Sequence, residues 1–217
     1  MADVYVVLDN VQYRRRYFQN RNKIRTKDGW QWLTVLLKKE DRDELLIKDA
    51  KIFLEDLKWK KKNLESIYHN YCRVRYFRYF WDEFESIYSK NYSRLLDLNL
   101  DLLRFIFEKL AIAKKILLAS TLDVSSKKGD LLFDICKTLN AKTYISGISG
   151  RDYLNFQKFG NNGIKIMFQE FYHPIYKQLY EPFIPCMSSI DLLFNYGDKS
   201  REILLSPETP RLDYQIE

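Results

Sequence analysis

Glycine and proline are scarce, at seven and five of 217 residues, which leaves no room for a low-complexity linker or a collagen-like repeat. The three cysteines, Cys72, Cys136 and Cys186, are odd in number and far apart, with no CxxC and no Cys/His cluster. That argues against a disulfide scaffold and against a structural zinc site, and no metal is expected. With only two histidines, His69 and His173, neither a Ser/His/Asp order nor metal-ligand spacing can be built. No apolar run approaches the ~20 residues that span a bilayer, and the N-terminus shows no signal-peptide pattern. The chain therefore reads as cytoplasmic, with no stable membrane insertion.

Charge and aromatic rings are abundant instead. Lys plus Arg number 36 against 29 acidic residues, a net +7, which favours an anionic partner such as a nucleic acid, a nucleotide phosphate or an acidic headgroup. Sixteen Tyr, fourteen Phe and four Trp suit a packed core as readily as a stacking site. Hydrophobic residues at 46% mark a globular chain, and the length fits one α/β domain over 1–217.

The run Asp3–Leu8 reads as a buried strand, followed by an Arg-rich stretch from Tyr13 to Lys27 and a second strand over 31–37. A short strand is expected around 45–47. An aromatic-rich helical insertion covers about 54–110, with Trp59, Leu64, Ile67 and Tyr71 on one face and Phe80, Phe84, Ile87 and Tyr88 on another. Strand and helix then alternate: strand 115–119, helix 129–139, strand 142–146, helix near 153–159, strand 164–169. That order predicts a Rossmann-like, mostly parallel sheet with flanking helices. Ser188 or Ser189 can cap a last helix that Gly197 stops, and the tail 206–217 reads as irregular.

Four segments could carry chemistry. Asp9, with Gln12 and Tyr13, falls where strand-end loops converge in open α/β sheets; it is a candidate base or hydroxyl-binding carboxylate, and equally a polar turn residue. Seven Lys or Arg lie between Tyr13 and Lys27 with no acid among residues 13–27. Arg14 to Arg16 read best as a solvated basic face, whereas Arg21 between Asn20 and Asn22, with Arg25 beyond, resembles a phosphate clamp. Tyr13, Tyr17 and Phe18 among these cations also suit single-stranded nucleic acid. Strand, then Gly147 to Gly150, then Tyr153 is the order of an anion-binding backbone nest, or of a tight turn. His173 is a candidate acid or base, though a lone histidine is more often structural; Cys186 and Ser188 are nucleophiles by residue type alone.

Taken in order, Asp3–Tyr13 (DVYVVLDNVQY), Gln19–Ile24 (QNRNKI), Gln31–Val35 (QWLTV), Tyr144–Gly147 (YISG), His173–Gln178 (HPIYKQ) and Ser189–Gly197 (SIDLLFNYG) resemble the WbqC-like family of bacterial proteins. The resemblance spans nearly the whole chain and is weakest between about 38 and 95. Members usually open with a strand carrying His-Gln-Pro, which is missing ahead of Val4. Its absence implies either an exposed strand edge open to homodimer pairing or a local rearrangement in which another segment fills the space, and in both cases weak or absent catalysis.

Family genes accompany O-antigen (lipopolysaccharide) and other surface-polysaccharide clusters, so the resemblance implies a transferase moving an acyl or aminoacyl group onto a nucleotide-linked amino sugar. Asp9 and His173 are the candidate catalytic residues. Gln12, Tyr13, Asn20, Arg21, Asn22, Arg25, Gly147, Gly150 and Tyr153 are the candidate binding residues. The cofactor is unassigned; coenzyme A, an acyl-adenylate and an aminoacyl-tRNA are all open as donors. The alternatives are a non-catalytic RNA- or glycan-binding protein and a scaffold subunit of a glycan-assembly complex. Rossmann-like nucleotidylyl transferases offer a weaker analogy of fold.

Overall fold

The computed structural model describes residues 2–39 and 44–212. Its strands are β1 (Val4–Val7), β2 (Arg21–Thr26), β3 (Gly29–Thr34), β4 (Lys115–Leu118), β5 (Thr143–Gly147), β6 (Lys165–Gln169), β7 (His173–Pro174) and β8 (Arg211–Leu212). Its helices are α1 (Lys58–Tyr71), α2 (Phe77–Ser89), α3 (Leu95–Lys109), α4 (Lys128–Thr138), α5 (Phe156–Asn161), α6 (Ser189–Tyr196) and α7 (Ser200–Leu205). They fall into two compact units, one of Met1–Val11 with Lys114–Phe171, the other of Gln12–Ala113 with Tyr172–Glu217.

The first unit is the α/β part. β1 runs parallel to β4, Val4 opposite Lys115 through Val7 opposite Leu118, and β5 runs parallel to β6, Thr143 opposite Lys165 through Gly147 opposite Gln169. These are two short ladders, not one continuous sheet. Helix α4 serves both. Leu131 and Ile135 pack with Ala119, Val6 and Leu8, while Leu132, Phe133 and Cys136 pack with Leu154, Phe159 and Ile164. A parallel pair cannot be closed by a hairpin, so strand–helix–strand connections and a covering helix are what its backbone requires.

The second unit is built on aromatic packing. In α2 the buried residues Phe77, Phe80, Trp81, Phe84 and Tyr88 recur at helical spacing and line one face. Phe194 of α6 is fully buried and meets the rings of Tyr71, Phe77 and Phe84 at centroid distances of 5.1–6.3 Å. Such edge-to-face contacts add roughly 0.5–1.5 kcal/mol each beyond area burial. α6 ends at Gly197, whose φ is +56°, and a Cβ there would come within 2.6 Å of the Tyr76 ring. Only glycine fits both demands.

Several expected elements differ. The Arg-rich stretch is not all loop, because residues 21–26 form β2, paired antiparallel with β3. Residues 47–49 form a 3-10 turn instead of a strand, and Leu46 makes only an isolated bridge to Gln12. Ser188 occupies the N-cap position of α6 without a side-chain capping bond; its N–H instead donates to the Lys23 carbonyl at 2.7 Å. The tail beyond 206 turns into β8 against β7, and residues 213–217 lie outside the described residues.

Truncating the ring at the centre of this core should be costly. Phe194→Ala should lower the unfolding free energy by about 3–5 kcal/mol, read from urea titration followed by circular dichroism.

Candidate functional site

The β2–β3 hairpin sorts its residues by alternation. One face holds Ile24 and Leu33 in the core, with Gln31 bonded to Ser66 of α1. The other face carries Arg21, Lys23 and Arg25 on β2, with Trp32 opposite Lys23 and Trp30 opposite Arg25. The Arg21 guanidinium lies 3.9 Å from the Trp32 ring centre, and Lys23 Nζ lies 4.3 Å from Trp30 and 5.2 Å from Trp32. Each such contact contributes roughly 0.5–1 kcal/mol at an exposed site.

The rings continue outward. Trp30 meets Trp32 at 5.5 Å, Trp32 meets Phe18 at 5.4 Å, and Phe18 meets Tyr17 at 6.0 Å, all edge to face. Trp30, Phe18 and Tyr17 are 44%, 37% and 52% exposed. Among the described residues none of the seven cations from Arg14 to Lys27 forms a salt bridge. Arg21 and Lys23 rest against rings, and Arg21 also against a backbone oxygen, with no carboxylate paired to either, so their charge stays available to an anion.

Arg25 is different, being only 2% exposed. Its guanidinium donates to the carbonyls of Thr26 (2.5 Å), Gly29 (2.6 Å) and Pro182 (2.9 Å), which locks the hairpin turn and the 180–188 segment, while Nε has no partner. Its backbone N–H donates to Tyr71 Oη at 2.9 Å, and that hydroxyl donates to Asp191 Oδ1 at 2.7 Å. Tyr176 Oη and Gln178 Nε2 donate to Asp191 Oδ2 at 2.8 and 3.0 Å. Arg25 thus holds backbone in place, farther along the same strand face as Arg21 and Lys23.

The remaining expected residues distribute as follows. In the hairpin's unit, Tyr13 is buried with its N–H on the Leu45 carbonyl at 2.7 Å, and exposed Gln12 makes the bridge to Leu46. Asn20 donates through Nδ2 to the Val35 carbonyl at 2.9 Å. Asn22 is exposed, accepts from the Lys23 N–H at 2.8 Å, and by alternation leaves the strand on the face opposite Arg21 and Lys23. His173 places Nδ1 2.8 Å from the Pro174 carbonyl, and its Nε2 accepts from the Cys186 N–H at 3.2 Å. Burial lowers its pKa, so the neutral ring prevails at neutral pH. Because Ser188 N–H bonds to Lys23, the His173–Cys186 segment is fastened to β2.

In the α/β unit, Asp9 is buried at the end of β1, where Oδ1 accepts from Ser120 N–H at 2.8 Å and Oδ2 from Ser120 Oγ at 2.5 Å. Gly147 ends β5 with open space around it, whereas a Cβ at Gly150 would run into Ser146 Oγ. Tyr153 is exposed, with its N–H on the Gly150 carbonyl at 3.3 Å.

Lys23, Trp30 and Trp32 were absent from the expected binding set, and Asp191 and Tyr71 from any polar role. Hairpin alternation was the available signal for the first three. An open groove of about 590 Å³ between α1 and α2, lined by Leu57, Leu64, Tyr68, His69 and Trp81, contains none of the candidate site residues. No group of His, Cys, Asp and Glu among the described residues could hold a metal ion, and no helix among them is long and apolar enough to cross a membrane.

Fold and face together define an α/β protein with a cationic, ring-lined hairpin. The model of the WbqC-like protein family matches residues 1–203, and the chain belongs to that family. It is 29% identical over 205 residues to "Uncharacterized protein Rv1507c" of Mycobacterium tuberculosis (strain ATCC 25618 / H37Rv), covering 94% of this chain and 88% of that protein. No solved structure matches.

The buried carboxyl makes a pH prediction. Burial raises the Asp191 pKa from its ordinary value, against the opposing pull of Tyr71, Tyr176, Gln178 and the Arg25 charge. The folded state then holds the proton more tightly than the unfolded chain, so stability falls as pH rises from the ordinary carboxylate value through the folded one. Asp191→Asn cannot ionise. The wild-type minus variant unfolding free energy, measured in urea from about pH 4 to about pH 7, should therefore decline with pH.

Proposed function

We propose that this protein is a transferase of surface-polysaccharide (O-antigen) assembly, adding an acyl or aminoacyl group to a nucleotide-linked amino sugar. The observation that carries the reading is the row Arg21, Lys23, Trp30 and Trp32 on one hairpin face. A nucleotide-linked sugar pairs two phosphates with flat rings, and this face pairs two uncompensated cations with two indoles. Tyr71 and Asp191 fasten β2 through the Arg25 backbone N–H, so the cations meet the phosphates with little ordering cost.

Amide formation needs a base for the attacking amine and donors for the oxyanion. In the hairpin's unit the base is assigned to His173, kept neutral by burial, which must exchange its Cys186 N–H contact for the amine. Asp9, with both oxygens on Ser120, is assigned a positioning role at the end of β1.

The test is isothermal calorimetry with a UDP-linked amino sugar. Arg21→Ala should weaken binding by about 1.5–3 kcal/mol, the usual loss for a hydrogen bond to a charged group. Arg15→Ala, exposed and off the strand, should cost far less. Equal small losses would make the stretch a generic basic surface.

A further inference from the structure

The outer end of the ring row is not needed for one nucleotide. Tyr17 and Phe18 lie beyond Trp32, in a loop whose Arg14, Arg15 and Arg16 are all exposed. The loop has a fixed shape: the Arg14 N–H donates to Gln19 Oε1 at 2.7 Å, the Asn99 side chain donates to the Gln19 carbonyl at 2.9 Å, and Arg21 donates to the Arg16 carbonyl. Arg16 takes a φ of +60°, a conformation non-glycine residues rarely adopt.

We infer that the strip Tyr17–Phe18–Trp32–Trp30, flanked by Arg14, Arg15, Arg16, Arg21 and Lys23, is a binding platform for single-stranded RNA. Four rings stand in series at steps of 5.4–6.0 Å, with about one cation to each ring and no acid among residues 13–27. Single-stranded RNA has that composition, one flat base and one phosphate per residue. Stacking on rings and pairing with cations is how sequence-tolerant single-strand binding arises.

A surface serving solubility alone would keep the cations and bury or lose the rings. Here Tyr17, Phe18 and Trp30 are exposed along one strip that Trp32 joins, which marks an interaction surface. A duplex hides its base faces in the stack and offers this strip only phosphates, so the geometry selects the single strand. The inference rests on the strip, not on the transferase reading, although the two share Arg21 and Trp32. If both hold, an aminoacyl donor carried on an RNA end would meet the sugar at the same hairpin.

The experiment uses the full chain and fluorescence anisotropy with a labelled uridine 12-mer, a uridine 3-mer and a 12-base-pair RNA duplex. The 12-mer should bind tighter than the duplex and the 3-mer by tenfold or more, with affinity falling steeply as salt rises. The exposed substitution Tyr17→Ala should weaken 12-mer binding several-fold, and Tyr17→Ala/Phe18→Ala tenfold or more, with the circular dichroism spectrum unchanged. Tyr17→Ala, which does not touch the row Arg21, Lys23, Trp30 and Trp32, should leave UDP-sugar calorimetry unaltered, which separates this result from the test above. Equal binding of duplex and single strand, or loss on Arg15→Ala without loss on Tyr17→Ala, would overturn the inference in favour of generic charge attraction. Displacement of the 12-mer by an anionic polysaccharide at equal charge concentration would overturn it in favour of a glycan.

Discussion

The Tyr71 hydroxyl is the contact on which the hairpin unit depends. It accepts from the backbone N–H of Arg25 on β2 and donates to Asp191 on α6, and it belongs to α1, so one oxygen joins three elements far apart in sequence. Asp191 would be an unpaired buried carboxylate without its three donors. Leaving a buried charge unpaired costs about 3–5 kcal/mol, more than most single substitutions remove. The Arg25 charge also pulls the Asp191 pKa down, and its guanidinium is shared among three carbonyls instead of being given to a carboxylate. Charge balance here is spread over a network, which fixes positions more strictly than one direct ion pair would.

Register follows from that node. In β2 a one-residue slip would move Ile24 to the outer face and bring Asn20 or Asn22 into Arg21's present place. The slip would break the Arg25–Tyr71 bond and expose a fully buried isoleucine together, so two independent penalties hold one register. The outer face profits from the same constraint. Arg21 and Lys23 stay partly exposed, resting on the rings of Trp32 and Trp30. Along one strand the cations thus grade from a buried one that positions backbone to partly exposed ones that can meet an anion.

The strands and helices with regular hydrophobic spacing were legible in the sequence. Val4–Val7, α4, β5 and β6 lie within about a residue of the expected bounds, because apolar periodicity decides them. β2 was not, since Arg-Asn-Lys-Ile-Arg-Thr has one apolar residue, and period two is invisible when one face is read in cations. Asp191 sat in plain view within an apolar helix, but only tertiary packing reveals that Tyr71, Tyr176 and Gln178 meet it there. The pairing of β7 with β8 spans two residues on each side, below what periodicity can register. Arg25 was grouped with Arg21 because both look alike in sequence; burial separates them.

Asp9 shows how the α/β unit tolerates the chain's topology. β1 and β4 are neighbours in one parallel ladder, yet Gln12–Ala113 intervenes between them. Closing so long a loop costs only about 2 kcal/mol more than closing one a tenth as long, because the entropy grows with the logarithm of length. Two hydrogen bonds from Ser120 to the Asp9 carboxylate, each contributing roughly 1.5–3 kcal/mol, are therefore enough to offset that difference. They lie where the chain leaves β1 and where it has just left β4, a position from which they oppose fraying of both strand ends. The Asp9 carboxylate thus has a structural part in returning the chain to its parallel neighbour, in addition to the positioning role proposed for it.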